Sequence, residues 1–267
     1  MAGHIPDALL HQYHLMRDLE NGVMYGFDEE FLHQYRVALR RSRAIAESVA
    51  ALVKVKHLRK AIKALGRHGR ATSTLRDLHV FTTDREDDLR TAGALPFFQS
   101  LVLAHQQQLR EHLQSDQYYR DMERWYCLIT SSSFRKHTLN LKPKDIQCTV
   151  DSRISRYNQR AAELNEQSPD EDIHALRKML KRIRYLMELQ EPGRNKVRKK
   201  VKKRQRWLGN FQDLHVHLAL LQRFREDTGT LMENNETEDA INALIESVEQ
   251  DKAALRGQIL AHHRLML

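Results

Sequence analysis

Apolar residues follow a 3.6-residue period along most of the chain. Phe31, Tyr35 and Leu39 fall on one side of a helix over 29–52, and Leu58, Ile62 and Leu65 on one side of the next. Val197, Val201 and Leu208 do the same late in the chain. This pattern predicts helices near 5–20, 29–52, 56–70, 75–91, 97–113 and 116–131, then near 145–165, 171–190, 195–208, 211–227 and 237–263. Breaks are expected at Gly22/Gly26, Gly93–Pro96, Ser168–Asp170, Pro192–Gly193 and Gly229, with Asp28 or Asp170 placed to cap the following helix. Val216, Leu218, Leu221 and Trp125 read as core or interface positions.

Composition agrees with helix. Gly and Pro number 10 and 5 in 267 residues, too little punctuation for a strand-and-turn fold. The length exceeds the usual domain of about 100–150 residues, so two packed lobes or one large domain are expected. Pro143 lies near the midpoint and suggests lobes over 1–140 and 141–267 that together make one duplicated domain. The start, Met1 to Pro6, lacks the basic-then-apolar pattern of a secretory signal, and no apolar run approaches the ~20 residues of a membrane span. Cys127 and Cys148 form no C-x-x-C and suit a reducing compartment, so a cytoplasmic protein is expected.

The net charge of +9 is unevenly spread. Residues 33–76 carry a net +11, with Glu47 the lone acid, and 174–206 carry +12, which leaves −14 elsewhere. Solvated helix faces normally mix both signs, so this segregation points to an anionic partner. The basic segments also repeat. His33, Arg36, Arg40 and Arg43 share an arc of about 80°, and His174, Arg177, Lys181 and Arg184, 141 residues on, share the same arc. On the following helices, Arg59, Lys60, Lys63, Arg67 and Arg70 form one stripe, and Lys196, Lys199, Lys203 and Arg206 another. Four such stripes facing one groove would hold a polyanion. Arg and Lys recognise phosphate oxygens without reading a base, and only Tyr185 and Trp207 adjoin the stripes as stacking surfaces.

The segments H-x-x-R-V-x-x-R-R-x-R at 33–43, H-x-x-R-K-x-x-K-R-x-R-Y at 174–185, R-D-L-x-V at 76–80 and L-G-x-x-x-D-L-x-V at 208–216 resemble the conserved histidine α-helical domain (CHAD) family. The resemblance covers nearly the whole chain. It implies an all-α fold of two pseudo-symmetric helical bundles around a basic central groove or channel that binds inorganic polyphosphate, without catalysis. It departs from the family in having His79 and His215 where Asp is frequent, and Ser73 where Gly precedes the first Arg-Asp. The E-x-E-x-K of the triphosphate-processing domain sometimes fused to this family is absent from the sequence.

The expected binding set is therefore the four stripes together with Tyr185. Within it, His33 and His174 either donate to phosphate or satisfy a neighbouring helix end, and Arg41 and Arg182 fit either role. Asp77 and Asp213 read as structural partners of a nearby Arg or as caps, and Arg198, Lys200 and Arg204 as peripheral solvated charges. His215-Val-His217 and His262-His263 lack a third ligand, so neither metal nor cofactor is expected. The leading function is noncatalytic polyphosphate binding, with targeting to polyphosphate granules as one use. A sequence-nonspecific RNA or DNA backbone binder is the alternative binding class, and a phosphohydrolase or phosphotransferase the enzyme class.

Overall fold

The computed structural model describes residues 5–188, 195–228 and 235–262; the breaks expected at Pro192–Gly193 and Gly229, and His263, lie outside the described residues. Every element among the described residues is an α-helix: α1 (Ile5–Tyr25), α2 (Glu29–Leu52), α3 (Leu58–Ala71), α4 (Ser73–Asp84), α5 (Glu86–Thr91), α6 (Leu95–Leu113), α7 (Asp116–Thr130), α8 (Ser132–Leu139), α9 (Pro143–Ala162), α10 (Asp170–Glu188), α11 (Asn195–Thr228) and α12 (Asn235–Ala261). None is long and apolar enough to cross a membrane.

The helix ends follow local chemistry. Asp28 accepts a 2.7 Å hydrogen bond from the Glu30 amide, and Glu29 and Glu30 complement the positive end of α2. Pro143 occupies the first turn of α9, where its missing N–H costs nothing. Gly26, with φ +63°, ends α1 in a left-handed conformation that side chains disfavour.

Several joints differ from the sequence expectation. α1 runs straight through Gly22, because the Phe31 ring packs on that glycine and an added Cβ would lie 2.0 Å from it. The helix expected over 75–91 divides at Arg85, where three acids, Glu86, Asp87 and Asp88, open a new first turn. Ser131 is extended, ends α7 and caps α8 through the Phe134 amide, which makes a separate short helix. Conversely, α11 is continuous through Gly209, since Leu208 and Phe211 on either side are anchored in the same core. Asp170, expected as a cap, is instead the first residue of α10 and pairs with Lys252 at 2.5 Å and Arg256 at 2.8 Å.

Three hydrophobic cores hold the helices. The first joins α1, α2, α3, α7 and α8, with Leu75 of α4 and Leu109 and Leu113 of α6, around Tyr35, Tyr118 and Trp125. The Tyr35 and Tyr118 hydroxyls lie 2.9 Å apart, and Tyr118 also donates to Glu20. The second joins α9, α10, the first part of α11 and the end of α12. The third combines Leu78, Phe81, Leu89 and Phe98 from the first half of the chain with Leu218, Leu221, Phe224 and Val248 from the second. Trp125, Leu218 and Leu221 are buried as expected, whereas Val216 is only partly covered.

Candidate functional site

α2 and α10 pack against each other, and their ion pairs are reciprocal. Arg41 of α2 meets Glu188 of α10 at 3.8 Å, and Arg182 of α10 meets Glu47 of α2 at 3.8 Å. Both partners of one pair lie 141 residues from their counterparts in the other, the same offset that relates the basic motifs.

Beside this seam lies a cleft of about 450 Å³. α2 lines it with Arg36, Leu39, Arg40, Arg43, Ala44 and Glu47, and α10 with Arg177, Lys178, Lys181, Arg182 and Tyr185. The end of α3 and the start of α4 add Leu65, Gly69, Arg70, Thr72, Ser73 and Asp77, and α11 adds Gln212, Asp213 and Val216. Eight Lys and Arg thus face three carboxylates. Of those carboxylates, Glu47 is engaged by Arg43 at 3.1 Å as well as by Arg182.

Three of the cations are held under electrostatic stress. Arg36 is braced through Nη1, which donates to Thr72 Oγ1 at 2.7 Å, Ser73 Oγ at 3.3 Å and the Gly69 carbonyl at 3.4 Å. Burial lowers its pKa to about 10 despite the pull of Asp77. Arg177 is lowered for the same reason, and its Nε is buried without a hydrogen-bond partner. Lys181 is displaced furthest. Burial, then the positive charges of Arg177, Arg40, Arg184 and Arg36, push its ammonium down to about 7. Asp77 and Asp213 are raised by burial, which outweighs Arg36 beside the first and Arg177 beside the second. Neither carboxylate caps a helix or lies within 4.0 Å of a cation among the described residues, so they act on the arginines through the cleft rather than by direct pairing.

Of the expected set, Arg36, Arg40, Arg43, Arg70, Arg177, Lys181 and Tyr185 line this cleft together. Tyr185 is buried, with the Arg184 guanidinium 4.6 Å from its ring centroid. Arg184 itself turns to Gln205 at 3.0 Å and Glu188 at 3.4 Å, outside the cleft. His33 and His174 are half-buried and stand off the lining. Burial, then Arg76, lowers the pKa of His33; burial, then His215 at 5.0 Å between ring centroids, lowers that of His174. Among the described residues, the α3 and α11 stripes bring only Arg70 to this cleft. Arg59, Lys60, Lys63 and Arg67 stay on the exposed face of α3, with Arg67 paired to Asp121 at 2.7 Å. Lys199, Lys203 and Arg206 are exposed along α11, with Lys203 4.9 Å from the Trp207 ring, and the Lys196 side chain lies outside the described residues.

Two solvated-charge expectations fail. Arg198 is half-buried and donates to the Met187 carbonyl at 2.6 Å, and burial lowers the pKa of Arg204. Lys178, Thr72, Ser73 and Gln212 were not singled out for binding in the sequence reading. Lys178 was legible there, because it follows His174 by four residues and adjoins the α10 stripe. No group of three or more His, Cys, Asp or Glu among the described residues is arranged to hold a metal ion.

The comparisons with known proteins concern the whole chain. No curated protein sequence matches it. Among solved structures it is similar to the CHAD domain of the plant Ricinus communis, with a TM-score of 0.77 at 21% identity, covering 100% of this chain and 92% of that one. The family described as the CHAD domain matches residues 7–222, most of the length and a span that includes the motifs at 33–43 and 174–185. The all-α chain belongs to the CHAD domain family.

Proposed function

We propose that the cleft binds inorganic polyphosphate through its cations and does not turn it over. The carrying observation is the convergence of eight Lys and Arg from α2, α3 and α10 on one cleft that leaves Arg36, Arg177 and Lys181 short of counter-charge. A polyanion supplies what the protein withholds. A phosphate chain presents closely spaced charges with no apolar body, which matches a lining rich in forked guanidinium donors. The reciprocal pairs Arg41–Glu188 and Arg182–Glu47 support a pseudo-symmetric reading, in which both halves contribute equivalent walls to one channel. Binding without chemistry fits the lining, since Glu47 is engaged by two arginines and the other two carboxylates face Arg36 and Arg177. A cytoplasmic protein that docks on polyphosphate granules is the cellular role consistent with this reading.

Competition at fixed salt tests the proposal. Polyphosphate should displace labelled RNA or DNA at much lower phosphate concentration than the reverse, and its chain length should be unchanged after prolonged incubation. Preferential retention of nucleic acid would favour the backbone-binder reading, and shortening of the polymer would favour an enzyme.

A further inference from the structure

A second cavity, of about 590 Å³, opens between the start of α3, α7 and the start of α8. Its floor is apolar, made by Val55, Ala61, Ala64 and Leu128. Its rim carries Lys56, Lys60, Arg67 and Arg124 against one carboxylate, Asp121. That carboxylate is already committed. It is buried, with Arg67 at 2.7 Å, the neutral ring of His68 at 3.3 Å and Arg124 at 3.7 Å. The first turn of α3 contains no acidic residue, and neither Lys56 nor Lys60 has a carboxylate within ion-pair distance among the described residues. The cavity therefore offers unspent positive charge above an apolar floor.

The balance of chemistry differs from that of the cleft. Eight Lys and Arg line the cleft, twice the number here, and a bare phosphate polymer has nothing to place against the floor formed by Val55, Ala61, Ala64 and Leu128. The volume lies within the range of pockets for small organic ligands, which are typically apolar with a few polar groups that fix orientation. We propose that this cavity is a binding site for a small amphiphilic organic anion, with a compact apolar body on the floor and one anionic head between Lys56 and Lys60. Lys60 and Arg67, which the sequence pattern assigns to the polymer stripe, serve this second site instead. The site stands independently of polyphosphate binding, because its lining shares no residue with that of the cleft.

The probe is 8-anilinonaphthalene-1-sulfonate, an aromatic ring system with one sulfonate, titrated by fluorescence into the full chain. Saturable binding at one site is expected, at least tenfold tighter than that of the uncharged N-phenyl-1-naphthylamine. Lys60→Glu should weaken it at least tenfold, and Ala61→Trp should block it with helical circular dichroism unchanged. Because the bulky substitution can itself disturb folding, a second measurement uses the exposed Cys127 in the cavity wall. In a Cys148→Ser background, the bound probe should slow N-ethylmaleimide labelling of Cys127. Saturating polyphosphate should leave probe binding intact. Equal affinity for the neutral compound, indifference to Lys60→Glu, unprotected Cys127 or displacement by polyphosphate would each overturn the assignment.

Discussion

Lys181 concentrates the electrostatics of the cleft in one titratable side chain. Its ordinary value is 10.5, and burial among Arg177, Arg40, Arg184 and Arg36 brings it to about 7, with Asp213 the carboxylate close enough to feel it. Between those two values the unfolded chain binds the Lys181 proton and the folded chain does not. Lys181 therefore makes the free protein more stable as pH rises from about 7 toward 10.5, the reverse of a salt-bridged lysine. A polyphosphate chain bound in the cleft would restore the missing negative charge and with it the proton. Binding should accordingly take up a proton near pH 7.5 and tighten as pH falls from about 8.5 to 6.5. His33 and His174 stand off the cleft lining, and burial lowers the pKa of both imidazoles. Calorimetry in two buffers of different ionisation enthalpy measures the uptake directly. Lys181→Met should abolish most of it while Arg70→Ala leaves it in place, and an unchanged uptake in Lys181→Met would assign the proton to another group.

At the scale of elements, α2 and α10 supply seven of the eight Lys and Arg of the cleft, whereas the sequence pattern shares the basic stripes among four helices. Arg36→Ala/Arg40→Ala and Arg177→Ala/Lys181→Ala should weaken polymer binding to similar degrees. Each lost phosphate contact is worth roughly 1.5–3 kcal/mol, so losing a pair costs about a hundredfold or more. Lys199→Ala/Lys203→Ala/Arg206→Ala on α11 should cost less than threefold at physiological salt, since exposed charges off the cleft act only through screened attraction. A larger loss from the α11 set than from either cleft set would show that the polymer runs over the surface. The helical period places each basic stripe on the side of its helix away from the apolar residues. It could not show which neighbour covers that side, so α3 brings only Arg70 to the cleft while Arg67 turns to Asp121 on α7. Element boundaries were legible where a cap or proline carries the signal, as at Asp28 and Pro143. They were not legible where tertiary packing decides, as at Gly22 under Phe31 and at Gly209 between two core anchors. Glu47 and Glu188, at the 141-residue offset, were visible in the sequence, but their crosswise pairing appears only when α2 and α10 are docked.

For the whole molecule, multivalency separates a polymer site from a phosphate site. Orthophosphate can engage only a few donors at once, whereas a chain lying along the cleft would meet Arg36, Arg40, Arg177 and Lys181 together. Long polyphosphate should bind at least a hundredfold tighter per molecule than orthophosphate, and log affinity should fall linearly with log salt as bound counterions are released, by analogy with nucleic acids. Equal affinities would remove the multivalent cleft.

The third core makes a stronger statement about how that cleft is built. Leu78, Phe81, Leu89 and Phe98 come from residues 1–140, and Leu218, Leu221, Phe224 and Val248 from 141–267, yet they bury one another in a single cluster. Full burial of each such side chain contributes about 1.5–3 kcal/mol, comparable in sum to the entire stability of an ordinary domain. A polypeptide ending at Asn140 would leave its share of this cluster in water, and one beginning at Leu141 would do the same from the other side. Each fragment alone should show reduced helical content, a broadened or absent thermal transition and hydrophobic dye binding, while the intact chain unfolds cooperatively. Phe98→Ala and Phe224→Ala, on opposite sides of the same cluster, should each destabilise the intact chain by about 3–5 kcal/mol. Fragments that melt sharply at the temperature of the full protein would instead make the halves independent lobes. Cooperative unfolding through the shared core would mean that the duplicated motifs can meet across the cleft only when both halves fold together.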